Sequence, residues 1–486
     1  MNKTLLAFSA IAILLFTSFT SNAQARTNSA DVFAKIDNYL SAGCDNGFSG
    51  AISVVKNGNI IINKGYGFAN KEANILINPT TIFDIGSNTK QFTATAILKL
   101  VEQNKINLTD PLSTFFNDLP GDKQNITIHQ LLTHSAGFIS AFGGDFHEIS
   151  LSDFFEQLFA SELLFKSGTS YSYSNIGYSV LARIIELTSN QSYEAFLNEH
   201  LFKPAGMLQT GYLLPKWDSL QISHGYYKNI IDRGSMISRY QETRSITWHL
   251  KGNGGINSTQ NDMLLWHSAL KENKIITKES FEKLITPHVL NKNGTSSYGY
   301  GWSVKNSEDA TLRISHNGGN GIFSHTIIWY PKQDIYIVYA TNASSSKVEW
   351  LAYDIAKIIL DENYVPQLIE ENIYSYISNY IKQNSTDYSN ELLTQLQENY
   401  ADDFKSSRVL NTTGNILLRL NENLKWALEL FKINVQLYPQ DGNLWDSLGD
   451  GYKANNLRED AITSYRKAID LGYKDSQEKL TELTKS

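Results

Sequence analysis

Short apolar runs on either side of polar turns predict two pairs of β-strands that lie far apart in the chain. The first pair runs from Gly50 to Asn70 and turns at Asn57-Gly58, a dipeptide that supplies the positive φ angles of tight hairpin turns. The second pair, Ser324 to Tyr330 and Ile335 to Thr341, flanks a polar turn that begins at Pro331. We therefore expect one sheet assembled from both ends of a domain of about 340 residues.

Between the strand pairs, apolar residues recur at the three- and four-residue spacing of helices. One apolar face contains residues 94, 97, 98 and 101, and another contains residues 180, 181, 184 and 185. This spacing is typical of amphipathic helices. The sequence thus predicts a mostly helical insertion that borders a cleft.

The chain after Val365-Pro366 is polar, helical and free of strand signals. Ala427 and Ala461 are 34 positions apart, and so are Phe431 and Tyr465. This is the period of the tetratricopeptide repeat, a pair of helices. The pattern predicts an all-α tetratricopeptide-like repeat region over residues 367–486.

The earlier of the two repeats fits the motif less well in its first helix. Gly414 lies one position out of register with Gly449. Residues 367–405 are expected to form a degenerate helical pair, which would help to reach the three or so stacked repeats that stability requires.

The first 25 residues have the pattern of a signal peptide. Lys3 precedes an apolar stretch from Leu5 to Phe16, and Ala23-Gln24-Ala25 suits cleavage before Arg26. The apolar stretch is short for a membrane-spanning helix, and the rest of the chain has no long apolar run. We expect a secreted or periplasmic protein without a transmembrane anchor in its mature form, and a first domain over residues 26–362.

Composition excludes several classes of function. Hydrophobic residues make up 42% of the chain and charged residues 19%, as in soluble globular proteins. The net charge of -7 and the lack of a concentrated basic run argue against a nucleic-acid partner. The one cysteine cannot form an intramolecular disulfide, and the ten histidines are scattered. No metal site, phosphate-binding loop or cofactor is predicted.

One candidate site begins the first predicted helix. Ser87 and Lys90 are three positions apart, and such residues share a helix face. A hydroxyl and an amine can therefore lie side by side at a helix N-terminus, where the backbone dipole favours negative charge on oxygen. The spacing alone is weak evidence, because four other serines of this chain also have a lysine three residues later.

Two further blocks strengthen that candidate. Tyr173-Ser174-Asn175 precedes the second predicted helix, and His316-Asn317-Gly318-Gly319 precedes the later strand pair. Taken in order, the three blocks resemble the serine β-lactamase and penicillin-binding-protein superfamily, especially class C β-lactamases and related esterases and D-amino-acid peptidases. The resemblance covers roughly residues 30–360. Supporting stretches are Ile128 to Gly137, Gly254 to Thr259, and Tyr300-Gly301-Trp302.

The resemblance implies an α+β fold and a serine hydrolase that forms an acyl-enzyme. The fold would be a β-lactamase-like antiparallel sheet flanked by helices, with a helical insertion, followed by the repeat region. Ser87 would attack the carbonyl carbon, and Lys90 and Tyr173 would share the general base and acid work, with neither assigned as the base. Asn175 would hydrogen-bond the substrate amide or the lysine. The oxyanion hole would be the backbone N–H groups of Ser87 and Gly319.

The third block departs from the β-lactamase pattern. β-Lactamases usually carry Lys-Thr-Gly there, whereas this chain has His316-Asn317-Gly318, which resembles the esterase and D-aminopeptidase branches. Loss of a permanent positive charge weakens recognition of a substrate carboxylate. We expect His316, Gly318 and Gly319 to line a substrate site that prefers small esters or D-amino-acid peptides to β-lactams. His129 and His134 are expected to be structural and to bond loop backbone.

Two functions from different classes compete. The first is an active serine hydrolase; the second is a weak or inactive penicillin-binding-like module that, with its repeats, serves as a protein- or peptide-binding scaffold. The intact Ser87, Lys90, Tyr173 and glycine-rich block favour the enzyme. The repeats are expected to bind a partner, to mediate self-association or to cap the first domain.

Overall fold

The two predicted strand pairs join into one sheet. In the computed structural model, which describes residues 30–217, 221–243, 245–306 and 311–485, Asn57 and Gly58 both have positive φ, 53° and 73°. They close the first hairpin as its turn chemistry predicts. The predicted signal peptide lies outside the described residues.

An eight-stranded antiparallel sheet, in the order β2-β1-β14-β13-β12-β11-β10-β9, dominates the first part of the chain. Strand β1 pairs with β14 from Gly50↔Thr341 to Lys56↔Ile335, which joins the early and late hairpins. Three further sheets have two strands each. The strands are β1 (Gly50–Lys56), β2 (Asn59–Tyr66), β3 (Phe68–Asn70), β4 (Ile75–Leu76), β5 (Phe83–Asp84), β6 (Tyr226–Tyr227), β7 (Ile231–Asp232), β8 (Asn257–Ser258), β9 (Val289–Leu290), β10 (Ser297–Tyr298), β11 (Ser303–Asn306), β12 (Leu312–Gly319), β13 (Ser324–Tyr330) and β14 (Ile335–Thr341).

The chain divides into two units, and the first consists of Met1–Tyr227 and Asp232–Glu370. Its helices are α1 (residues 30–45), α2 (Thr89–Glu102), α3 (Ile128–Leu132), α4 (Leu151–Ala160), α5 (Asn175–Ser189), α6 (Tyr193–Leu197), α7 (Lys203–Ala205), α8 (Met236–Thr243), α9 (Gln260–Lys271), α10 (Lys278–Ile285) and α11 (Leu351–Leu360). Helices α1 and α11 share an apolar cluster with one face of the sheet, through residues such as Ile36, Ile337 and Ile355. Helices α2, α5 and α9 belong to a second cluster that includes Ile327 and Val338. The predicted α+β class, with a mostly helical insertion, is confirmed.

Helix α2 differs from its prediction. Its polar residues Lys90, Gln91, Thr93 and Thr95 are as buried as its apolar ones, so the helix is not amphipathic. Each polar side chain has a hydrogen-bond partner; for example, Thr95 donates to the carbonyl of Gln91 at 2.8 Å. Burial of satisfied polar groups carries little cost, and the prediction failed because apolar spacing alone cannot detect it.

The second unit consists of Lys228–Ile231 and Glu371–Ser486. Its helices are α12 (Ile373–Gln383), α13 (Ser389–Asn399), α14 (Arg408–Leu420), α15 (Leu424–Leu437), α16 (Gly442–Ala454), α17 (Arg458–Asp470) and α18 (Ser476–Lys485). Helices α14 and α16 begin 34 residues apart, and so do α15 and α17. Residues 367–405 contain a helical pair, α12 and α13.

Two glycines let the paired helices of this unit approach closely. A Cβ atom on Gly414 would lie 2.5 Å from the Phe431 ring, and one on Gly449 would lie 2.4 Å from the Tyr465 ring. The two aromatic residues are 34 positions apart although the glycines are 35 apart. Both helical pairs therefore use the same glycine-to-ring packing, with a shift of one residue. Among the described residues, no helix is both long and apolar enough to cross a bilayer.

Candidate active site

Ser87 lies in a single 3-10 turn, Gly86–Asn88, that leads directly into α2. Its side chain is partly buried and lines a cleft of about 420 Å³. Gly86 has a φ of 51°, and a Cβ atom there would lie 2.5 Å from the backbone nitrogen of Gly319. A glycine is required at this position because the nucleophile turn and β12 are in backbone contact.

Lys90 lies one turn of helix after Ser87 and is fully buried. Its Nζ atom is 3.2 Å from Oγ of Ser87, 2.8 Å from Oδ1 of Asn175 and 2.7 Å from the backbone oxygen of Asn253. Burial lowers the pKa of Lys90 well below its ordinary value, although the negative charge of Asp145 opposes this shift. The amine is therefore held near the hydroxyl in an environment that favours its neutral form.

Tyr173 completes the cluster. Nζ of Lys90 is 4.7 Å from the Tyr173 ring centroid, and the hydroxyl of Ser87 is near enough to the phenol to affect its pKa. Burial raises the pKa of Tyr173, and the nearby hydroxyl of Ser87 only partly opposes this shift. The structure thus brings Ser87, Lys90, Tyr173 and Asn175 together.

His134 holds the loop that carries Tyr173. Its backbone oxygen accepts from the backbone N–H of Ser172 at 2.9 Å, and its Nδ1 accepts from the backbone N–H of Ser174 at 3.1 Å. The imidazole packs on Tyr173 with ring centroids 4.3 Å apart. Burial lowers the pKa of His134 well below its usual range, so the ring is neutral. The expectation for His129 holds only for its main chain: its N–H donates to the backbone oxygen of Leu108 at 2.8 Å, whereas its side chain contacts the Tyr300 hydroxyl through Nδ1 at 2.8 Å.

Gly318 and Gly319 end β12 beside the nucleophile turn. A Cβ atom on Gly318 would lie 2.1 Å from the backbone oxygen of Ile85 and 2.6 Å from the backbone nitrogen of Ser87. Asn88 ties the same turn to β13, because its Nδ2 donates to the backbone oxygen of His325 at 3.1 Å. The backbone nitrogens of Ser87 and Gly319 thus lie on adjoining segments, an arrangement that suits an oxyanion hole.

His316 also lines the cleft and is neutral. Its Nδ1 donates to the backbone oxygen of Asn317 at 2.8 Å, and its Nε2 accepts from the Tyr298 hydroxyl at 2.9 Å. Burial lowers the pKa of His316 to about 3. Both ring nitrogens are therefore used within the protein, and this position supplies no positive charge.

Sequence reasoning missed four contributors to the site. Asn253 acts through a backbone carbonyl, which leaves no signal in the sequence. Asp145 comes close through a loop without a regular pattern. Tyr298 hydrogen-bonds His316, and its position in a two-residue strand gave no periodicity. Asp84 precedes the nucleophile turn and accepts a hydrogen bond from the backbone N–H of Gly86 at 2.6 Å.

The cleft itself contains no cluster of metal-ligating side chains among the described residues. Elsewhere, Glu72, His224 and Asp232 place ligand atoms within 4.8 Å of one another. Nδ1 of His224 pairs with Asp232 at 2.7 Å, and Glu72 accepts from the Tyr226 hydroxyl at 2.8 Å. These mutual contacts account for the cluster without a metal ion.

Comparison with protein families gives one match, to a family model described as Beta-lactamase, over residues 36–358. The chain is 34% identical over 270 residues to "Putative penicillin-binding protein PbpX" of Bacillus subtilis (strain 168), across 56% of this chain and 65% of that protein, slightly less than two thirds of its length. It is 28% identical over 365 residues to "Penicillin-binding protein 4*" of the same organism, across 70% of this chain and 80% of that protein.

Solved structures agree with the fold. The octameric penicillin-binding protein homologue from Pyrococcus abyssi superposes with a TM-score of 0.59 at 26% identity, across 72% of this chain and 81% of that one. A class C β-lactamase from Rhodobacter sphaeroides has a TM-score of 0.57 at 17% identity, across 68% and 99%. The D-amino acid amidase from Ochrobactrum anthropi SV3, complexed with L-phenylalanine, also gives 0.57, at 18% identity, across 68% and 98%. The last two similarities show the fold alone.

Proposed function

This chain belongs to the β-lactamase family of serine hydrolases, and we propose that it cleaves a small ester or a D-amino-acid peptide through an acyl-enzyme on Ser87. The observation that carries the proposal is the set of contacts around Nζ of Lys90. Two of its three neighbours, Asn175 Oδ1 and the Asn253 carbonyl, can only accept hydrogen bonds.

Those contacts fit a neutral amine. A neutral Nζ has two N–H groups and one lone pair, so the two acceptors use both donors and leave the lone pair for the hydroxyl of Ser87. Burial disfavours the charged amine and the charged phenolate alike. Both effects favour Lys90 as the proton acceptor and Tyr173 as a proton donor during acylation.

The reaction then follows from the geometry. Lys90 takes the hydroxyl proton as Oγ of Ser87 attacks the carbonyl carbon. The developing oxyanion accepts hydrogen bonds from the backbone N–H groups of Ser87 and Gly319. Tyr173 donates its proton to the leaving oxygen or nitrogen and is reprotonated by Lys90. Water then attacks the acyl-enzyme by the same proton path in reverse, which releases the acid and restores the hydroxyl.

The neutral His316 bears on the substrate. A penicillin or a terminal D-alanine peptide presents a carboxylate close to the bond that is cut. Neither His316 nor Lys90 offers that carboxylate a positive charge, because burial favours the neutral form of both. We therefore rank small esters, and D-amino-acid peptides without a carboxylate beside the bond that is cut, above β-lactams as substrates.

Covalent labelling tests the proposal. A fluorescent phosphonate should label the wild-type protein, and Ser87→Ala should abolish the label because the nucleophile is gone. Ser280→Ala is the matched control, since Ser280 also has a lysine three residues later, but that lysine pairs with Glu279 at 2.9 Å. A wild-type protein that is never labelled would support the scaffold function instead.

The flanking regions carry two further proposals. The signal-peptide pattern of residues 1–25 supports export to the periplasm or the medium, which N-terminal sequencing of the mature protein would test. The 34-residue spacing of helices α14 to α17 supports a tetratricopeptide-like array that binds a protein partner or a second copy of this chain. Light scattering on the full chain and on a chain that ends at residue 370 would test self-association.

A further inference from the structure

Arg313 lies in β12 and lines the same cleft as Ser87. Its Cζ atom is 4.9 Å from the ring centroid of Tyr353 in α11. Its Nε atom is buried and has no hydrogen-bond acceptor among the described residues. A partly buried guanidinium is costly when no anion pairs with it, and Arg313 borders the cleft that contains Ser87.

A second cation lies beside it. Lys305 of β11 is the cross-strand partner of Arg313, and directly opposed residues of an antiparallel pair point to the same face. Both side chains are partly buried. Like charges in this arrangement repel and destabilise the sheet. A bound anion would relieve that repulsion and pair with the charge of Arg313.

The position of this pair sets the length of the ligand. Arg313 and Gly319 are six positions apart in β12, which corresponds to about 20 Å between their Cα atoms. Polar groups of Asn291, Ser296 and Ser315 line the cleft between the two ends. The cleft therefore suits an elongated molecule with a polar middle.

We propose that Arg313, assisted by Lys305, forms a carboxylate-binding subsite at the end of the catalytic cleft remote from Ser87. The preferred substrate is then an elongated ester or amide that carries a carboxylate far from the bond that is cut. The planar guanidinium of arginine can form two parallel hydrogen bonds with a carboxylate, whereas the ammonium group of lysine acts as a point charge. This proposal rests on the proposed hydrolase function.

Paired substrates test the subsite on the full chain. The p-nitrophenyl half-esters of suberic, sebacic and dodecanedioic acid are compared with the corresponding p-nitrophenyl methyl diesters. In the diesters the free carboxylate is replaced by a neutral methyl ester. In a second series, acetate esters of ω-hydroxy acids, the carboxylate is on the alcohol part of the ester. Their hydrolysis is measured by pH titration. In at least one series the acid should be preferred about tenfold in kcat/KM, mainly through KM.

Substitutions assign the preference to Arg313. Arg313→Gln should bring the ratio of acid to neutral substrate close to one, and Arg313→Lys should retain part of it because the charge remains. Lys278→Gln removes one positive charge from an exposed position, with the Lys278 side chain 80% exposed, and should leave the ratio as in the wild type. High salt should reduce the wild-type ratio.

The outcomes separate two failures. If neutral esters are cleaved but neither series prefers the acid, or if Arg313→Gln keeps the preference, the subsite proposal is wrong and the hydrolase function stands. If no ester is cleaved and no phosphonate binds covalently, the hydrolase function itself is wrong.

Discussion

Replacement of Asp84 by asparagine should remove a pH-dependent part of the protein's stability. Asp84 is 4% exposed and directly precedes the nucleophile turn. Its Oδ1 accepts from the N–H of Gly86 at 2.6 Å, and its Oδ2 accepts from Nδ2 of Asn320 at 3.0 Å. Burial raises the pKa of Asp84 to about 7, Asp145 adds to the shift, and the two hydrogen bonds oppose it.

The sign and size of the effect follow from that pKa. Because the folded-state pKa of about 7 lies above the ordinary value of 3.8, the folded protein binds more protons than the unfolded chain between these pH values. Stability therefore falls as pH rises through this interval. At about 1.4 kcal/mol per pKa unit, the loss from this carboxyl group between pH 5 and pH 8 is about 3 kcal/mol.

Asparagine at position 84 cannot titrate, but it introduces a fixed cost. Its amide nitrogen would face Nδ2 of Asn320, and Asn320 cannot turn to present its oxygen, because that oxygen already accepts from the N–H groups of Ile322 and Phe323. Two donors then meet in a buried site. This penalty does not depend on pH and cancels when differences between pH values are taken.

Urea unfolding at pH 5, 6, 7 and 8 measures the effect. The free energy of unfolding of the wild type minus that of Asp84→Asn should fall by about 3 kcal/mol between pH 5 and pH 8. Contributions from every other group, including those of the second unit, are shared by the two proteins and cancel. A difference that stays constant across this range would refute the reasoning about Asp84.

Three further outcomes test the catalytic geometry. Tyr173→Phe should slow cleavage of alkyl esters far more than that of p-nitrophenyl esters, because a good leaving group needs no proton donor; equal slowing of both would contradict the role as acid. Gly318→Ala should lose phosphonate labelling, since its Cβ would lie 2.1 Å from a backbone oxygen, whereas Gly319→Ala, with the nearest atom at 3.2 Å, should keep most of it. Turnover of p-nitrophenyl butyrate should exceed that of nitrocefin because His316 is neutral; efficient nitrocefin hydrolysis would contradict that ranking.

Strong local patterns predicted the frame of the protein. The hairpin turn at Asn57-Gly58 and the apolar runs on both sides of the Pro331 turn predicted strands β1, β2, β13 and β14 within a few residues of their observed bounds. Helical spacing of three placed Ser87 beside Lys90 correctly. In each case the structure-forming interaction lies within a few residues, so the sequence pattern is sufficient to detect it.

Long-range features of the site could not be obtained in this way. The approach of Tyr173 to Ser87 rested on resemblance to a family, since 86 residues separate the two positions. The neutral state of His316 depends on burial, and its hydrogen-bond partner Tyr298 comes from a two-residue strand. The raised pKa of Asp84 depends on burial. Such properties arise from tertiary packing, and no local periodicity encodes them.

β12 carries a positive charge at Arg313 and none at His316, where β-lactamases usually have a lysine. This difference bears on the proposed subsite. Residues 313 and 316 are three positions apart, and strand residues at odd spacing point to opposite faces. Arg313 therefore cannot substitute for a lysine at position 316. Among the described residues, β11 pairs with only the Leu312–Ser315 part of β12, so the half of β12 that carries His316 has a free edge beside the cleft. A substrate that crosses this edge would present its ester to Ser87 and its carboxylate to Arg313, which a compact β-lactam cannot do.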